Sequence, residues 1–168
     1  ERDALPLARE ALALAKNVEA KDQKDRRKAL GIVYQPRSGA TVRARLRWTP
    51  VGQPQPTTSL QAWQEAFHAR KLPKRTPYVL RQLLDTHSWV FENYSEAKEV
   101  LPVEIRRVLA RRQPAEPGAG AGPAPLEQLA TEISGLIESA SSKSDLAGVR
   151  EHWVNALLIA RSVAEHYP

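Results

Sequence analysis

The chain has 168 residues, with 25 Lys or Arg against 19 Asp or Glu, a formal charge of +6 and a pI near 9.8. That length holds one ordinary domain or two small ones, and the basic balance favours an anionic partner, of which nucleic acid is the commonest. The lack of Cys excludes disulfides and thiolate metal sites; no apolar run nears the roughly twenty residues that span a bilayer, and the first residues show no signal-peptide pattern.

A cytoplasmic or nucleoid-associated protein without membrane contact is therefore expected. The chain contains no Met and begins with Glu1, so it is expected to be a piece or a processed form of something longer.

In chain order, residues 4–20 read as a helix with Pro6 in its first turn and Leu5, Ala8, Leu12 and Ala15 on one face. The charged run KDQKDRRK from Lys21 to Lys28 extends it as a solvated face, and Gly31 is placed to follow its end. The periodicity then changes. Ile32–Gln35 is a short β-branched run, PRSGA is a turn, and Thr41–Thr49 alternates strictly. Val42, Ala44, Leu46 and Trp48 point one way, and Thr41, Arg43, Arg45, Arg47 and Thr49 the other. The expected structure is a β-hairpin with an apolar face on the core and an Arg ladder outside, where Arg43, Arg45 and Arg47 meet phosphates.

PVGQPQP (Pro50–Pro56) is a Pro-rich linker. Beyond it, Ser59 or Thr58 is placed to cap a helix whose apolar face is Leu60, Trp63 and Phe67, and Pro73 to end it. Thr76 and Pro77 are the cap and opening residue of a second helix with Val79, Leu80, Leu83 and Leu84 as its buried stripe. Helix, short turn and helix outline a helix-turn-helix. Its second helix is led in by Lys74, Arg75, Thr76 and Tyr78 and exposes Arg81 one turn later, and that N-terminal end is what a recognition helix presents to base edges. Such a core is equally the ordinary packing of an all-α domain.

The run KLPKRTPYVLRQLL resembles the recognition segment of bacterial helix-turn-helix regulators of the IclR type, over roughly thirty residues. It departs from that pattern at Lys71, where Gly is usual, and at Pro77, where a plain apolar residue is usual. The resemblance implies a DNA-binding domain with Lys74, Arg75, Thr76, Tyr78 and Arg81 at the groove.

Trp89, Val90 and Phe91 form a short wing-like strand or the apolar close of this motif. Ser95–Arg112 reads as a further helix, interrupted near Pro102, with Leu101, Ile105, Val108 and Leu109 on one face and Arg106, Arg107, Arg111 and Arg112 outside. QPAEPGAGAGPAP (Gln113–Pro125) reads as a flexible tether. After it the charge reverses, with seven acids against three bases from Gln113 onward. Leu126, Leu129, Ile133, Leu136, Ile137 and Ala140 line one helix. Ser144 caps the next, lined by Leu146, Val149, Trp153, Leu157, Ala160, Ala164 and Tyr167. Two helices cannot hide both stripes alone, so a second copy, the basic part or another protein must cover them.

Chemistry is thinly supplied. His68, His87, His152 and His166 are isolated, without HxH or HExxH spacing, and the glycines of GAGAG follow no strand. No metal, cofactor or catalytic residue is expected. One pattern points elsewhere: Arg81–His87 and Arg161–His166 are similar to the Arg-x(4–6)-His spacing of all-α HEPN ribonucleases, which would imply RNA cleavage by those pairs.

The expected fold is mainly α with a small β-hairpin: a basic domain over 1–112 with a helix-turn-helix core, a linker over 113–125, and a tethered acidic helical hairpin over 126–168 for assembly. The expected function is nucleic-acid binding, double-stranded DNA first, with self-association or a partner protein through 126–168. A helical subunit of a larger nucleoprotein assembly, binding RNA or single strands, is the alternative.

Overall fold

The computed structural model describes residues 4–16, 29–36, 40–48, 55–87, 93–111, 125–140 and 143–166. Their order is helix α1 (Ala4–Lys16), strands β1 (Ala29–Tyr34) and β2 (Val42–Arg47), and helices α2 (Pro56–His68), α3 (Thr76–Thr86), α4 (Tyr94–Ala110), α5 (Pro125–Ser139) and α6 (Lys143–Gly148). A π-helical turn (Val149–Trp153) and helix α7 (Val154–His166) follow. The chain is mainly α with one two-stranded antiparallel hairpin, as its periodicities predict. Among the described residues no helix is long and apolar enough to cross a membrane. The charged run 21–28, most of the linker before α2, the Trp89–Phe91 segment, nearly all of the 113–125 tether and Tyr167 lie outside the described residues.

The chain divides into two compact units, Glu1–His68 with Glu151–Pro168, and Ala69–Arg150. This is a different division from the expected one at 112 and 126. The reason is the cover found for the C-terminal stripes: α5 packs on α4, while α7 packs on α2 and β2. Leu126, Leu129, Ile133 and Ile137 are buried, as are Leu146, Val149, Trp153, Leu157, Ala160 and Ala164. The faces that required a partner therefore find it within the same chain.

In the first unit, the pairing register sets Gly31 opposite Arg45, Ile32 opposite Ala44 and Leu30 opposite Leu46. Opposed residues of an antiparallel pair share a face, so Ala44 and Leu46, both fully buried, lie on one side and the three Arg on the other. Gly31 shows what covers the Arg side. A Cβ at that position would stand 2.2 Å from the Ala11 carbonyl oxygen and 2.8 Å from the Ala15 amide nitrogen. Helix α1 thus lies directly on the strand, an approach only glycine permits. Gly31 is a strand-interior residue and not a helix-ending one; β1 begins at Ala29, earlier than the β-branched run alone suggests.

Helix α2 opens at Pro56, with the Ser59 amide donating to the Gln55 carbonyl at 3.0 Å. Ser59 is thus a buried interior residue of the helix and does not cap it. Trp63 and Phe67 are buried on its inner face. The helix ends at His68, ahead of Pro73, and Arg70 carries a left-handed φ of 57°. The residue that reverses the chain is therefore Arg70, one before the Lys71 position where the resemblance expects Gly.

In the second unit, α4 runs unbroken from Tyr94 to Ala110 with Pro102 inside it. Proline removes one helical hydrogen bond, yet Leu101, Ile105 and Leu109 are all fully buried around it, and their packing holds the helix together. The Pro102 carbonyl also accepts a bond from Ser134 Oγ on α5, at 3.5 Å. At the far end of α3, Arg150 gives Nε and Nη2 to Asp85 Oδ1 at 3.1 and 2.8 Å.

Candidate nucleic-acid interface

Helix α3 is set by what it buries. Thr76, Pro77, Leu80, Leu83 and Leu84 face inward, and Leu72 in the preceding turn is only 2% exposed. With those residues fixed, the 3.6-residue period turns Tyr78 and Arg81 outward; Lys74 and Arg75 stand just before the helix, and all four are exposed. Arg70 and Lys71, exposed in the turn before the helix, extend the same run. Neither stands out for binding from the sequence, where Lys71 registers only as a departure from Gly. The signal is nevertheless present: residues 69–84 hold five cations and no acid.

Thr76 is the exception among the expected contacts. It is completely buried, and its hydroxyl finds no hydrogen-bond partner among the described residues, so it cannot reach a groove. Nor is it the cap. Arg75 holds that position with helical angles (φ −83°, ψ −8°) and makes no side-chain cap bond. The Thr76 amide donates to the Pro73 carbonyl at 2.9 Å, and Pro77 has no amide hydrogen. Two of the first donors of this helix end are therefore unavailable to an anion. Recognition of phosphate here falls to the Lys and Arg side chains and not to a backbone cradle.

The strand arginines are arranged otherwise than as an open ladder. Arg43 is half exposed and forms an ion pair with Glu10 of α1, while its carbonyl accepts a bond from Asn155 Nδ2 at 2.8 Å. Arg45 is 9% exposed, a buried residue. Arg47, at the strand end, is exposed. The alternation is real, but the side it marks as polar is covered by α1, with Arg43 paired to that helix and Arg45 buried. Trp48, expected on the inner face, stands just past the end of β2 and is 43% exposed.

The helix-turn-helix outline also changes meaning. Both helices and the turn between them exist, but α2 belongs to the first unit and α3 to the second. The Trp63 and Phe67 face of α2 is taken up by α7. Lys74, Arg75, Tyr78 and Arg81 are therefore brought together within one unit, and Arg43, Arg45 and Arg47 within the other.

The histidines are spread out. His87 Nδ1 lies 2.9 Å from the Leu83 carbonyl oxygen and His166 Nδ1 lies 2.8 Å from that of Ser162. Arg161, the other half of one ribonuclease-like pair, meets Glu165 at 3.3 Å. His152, on the π-helical turn, has a buried Nδ1 without a hydrogen-bond partner among the described residues. Burial pushes its pKa below the ordinary value, the nearby Arg45 guanidinium adds to the depression, and Glu151 opposes it. Among the described residues no three His, Asp or Glu gather as a metal site. On α4, Arg107 pairs with Glu104 at 2.6 Å and Arg106 with Glu138 at 3.4 Å, so these two arginines meet carboxylates of their own unit. Comparison of the chain with protein-family models, with curated proteins and with solved structures returns no match.

Proposed function

We propose that the chain is a nucleic-acid-binding protein, double-stranded DNA first, and that it meets the phosphate backbone with the turn and first turns of α3. The observation that carries this is the exposed set Arg70, Lys71, Lys74, Arg75 and Arg81 around Tyr78, within a stretch that contains no carboxylate. Cations so clustered raise the local concentration of a polyanion and release its counterions on contact. The positive end of the α3 dipole adds to the same field. Arg47 is a further exposed cation, whereas Arg45 and Thr76 are too buried to contribute.

The test is fluorescence anisotropy of a labelled duplex, a single strand of the same sequence and the matching RNA, each at two salt concentrations. Binding should weaken as salt rises, with a logarithmic slope of about 0.9 per phosphate neutralised on duplex DNA. Replacing Lys74, Arg75 and Arg81 together by Gln should flatten that slope. No measurable binding at low ionic strength would end this reading.

A further inference from the structure

We propose that Tyr78 is a stacking platform for an unpaired base, so that the α3 end prefers DNA with a single-stranded end or junction to a closed duplex. The inference rests on the nucleic-acid reading above and adds what that reading leaves open, the form of the strand.

Tyr78 is 52% exposed, although it sits in the first turn of a helix whose neighbouring positions are sunk. Thr76 and Pro77 before it, and Leu80 after it, are buried, so the ring stands out from an anchored stretch of backbone. Arg75 precedes it by three residues, Lys74 by four, and Arg81 follows by three. Tyr78 and Arg81 are thereby neighbours on the helix surface, while Arg75, the N-cap with helical angles, and Lys74, in the turn before it, lead into them. From Arg75 to Arg81 the axis advances about 9 Å, and the helical period carries each of these cations about 60° around the axis from Tyr78, one on either side of the ring.

An aromatic face between cations suits a strand whose base is free to leave its stack. The cations hold the phosphates on either side, and the ring takes the π-face of the base, whichever base it is. A closed duplex keeps its base faces stacked, and a ring offered to it touches edges only. The buried donors at the head of α3 favour the same choice. With the Thr76 amide bound to Pro73 and no amide hydrogen on Pro77, the contact depends on side chains that can follow an irregular strand. Trp48 is the other large exposed aromatic among the described residues. It adjoins Arg47, but the next arginine inward, Arg45, is buried.

The experiment uses the whole chain and three labelled DNAs: a blunt hairpin, the same hairpin with a single-stranded 3′ extension, and one whose extension is abasic. The abasic extension carries the same phosphates without bases. The extended DNA should bind about tenfold tighter than its abasic counterpart. That ratio should fall to near one in Tyr78→Leu and persist in Tyr78→Phe and Tyr78→Trp. Equal affinity of the native chain for the extended and abasic DNAs overturns the proposal while leaving phosphate binding intact. So does a ratio that survives in Tyr78→Leu. Failure to bind any of the three DNAs overturns the nucleic-acid reading itself.

Discussion

The indole rings of Trp63 on α2 and Trp153 on the π-helical turn meet edge to face, their centroids 5.3 Å apart and their planes at 68°. This geometry lets the positive edge of one ring point at the negative face of the other. It ties a residue expected in the basic domain to one expected in a separate assembly module. Trp153→Ala should cost about 3–5 kcal/mol, read as a shift in the urea midpoint. A chain cut after residue 112 should fail to unfold cooperatively, since it lacks the helix that covers Trp63 and Phe67. A cooperative transition in the cut chain would show that the N-terminal part folds by itself.

How much of this is legible in the sequence depends on the range of the interaction involved. The strict alternation of β2 and the stripes of α4, α5 and α7 follow from local period, and the buried residues match them closely: Leu101, Ile105 and Leu109, then Leu126, Leu129, Ile133 and Ile137. Which face of the hairpin meets water does not follow, because it depends on α1 arriving through Gly31. The continuity of α4 across Pro102 is hidden for the same reason, since the packing that sustains it comes from α5. For the candidate site, the cationic run and the outward period of Tyr78 are written in the sequence. The burial of Thr76 reflects tertiary packing that a cap motif cannot report.

Gly31 offers a direct test of how α1 is seated. Its absent side chain would point at the Ala11 carbonyl, 2.2 Å from an ideal Cβ. Backbone cannot yield as a flexible side chain can, so Gly31→Ala should destabilise the chain by about 1–3 kcal/mol. Chemical denaturation reads this. The pairing of Arg43 with Glu10 should weaken along with it, so that Glu10→Gln costs less in the Gly31→Ala background than in the native chain.

Arg70 should respond in the opposite sense. Its φ of 57° lies in the region where a side chain costs about 1–2 kcal/mol and glycine nothing. Part of that gain is offset because glycine is freer in the unfolded chain. Arg70→Gly should therefore raise stability by roughly 0.5–1 kcal/mol, seen as a higher Tm, while removing one exposed cation and lowering affinity for DNA. Stability and binding should thus move apart in this single variant.

His152 predicts a pH dependence. Its folded pKa is lowered from 6.5, chiefly by burial, while Arg45 lowers it further and Glu151 raises it. The unfolded chain thus binds more protons at this residue than the folded one, and stability rises with pH where that is so. The contribution is fully present above pH about 6.5 and is lost as pH falls through the lowered folded value. Urea midpoints measured between neutral and mildly acidic pH should decline, and His152→Gln should remove that part of the decline. A decline of equal size in the variant would assign it to other groups.

Arg45 and the pair Lys74 and Arg75 separate two roles that cations of one charge can play. Arg45 is buried beside His152, so Arg45→Ala removes a packed side chain and should destabilise the chain by about 1–3 kcal/mol. It should leave the DNA affinity of the folded fraction unchanged. Lys74 and Arg75 are exposed, so replacing both by Gln should change stability by no more than about 0.5 kcal/mol. The cost should appear in binding, with the logarithmic salt slope on duplex DNA reduced by about 0.9 for each phosphate no longer neutralised. Thermal unfolding and a salt titration on the same variants read the two effects independently. A large drop in affinity in folded Arg45→Ala, with none in the Lys74 and Arg75 variant, would move the interface from α3 to the hairpin.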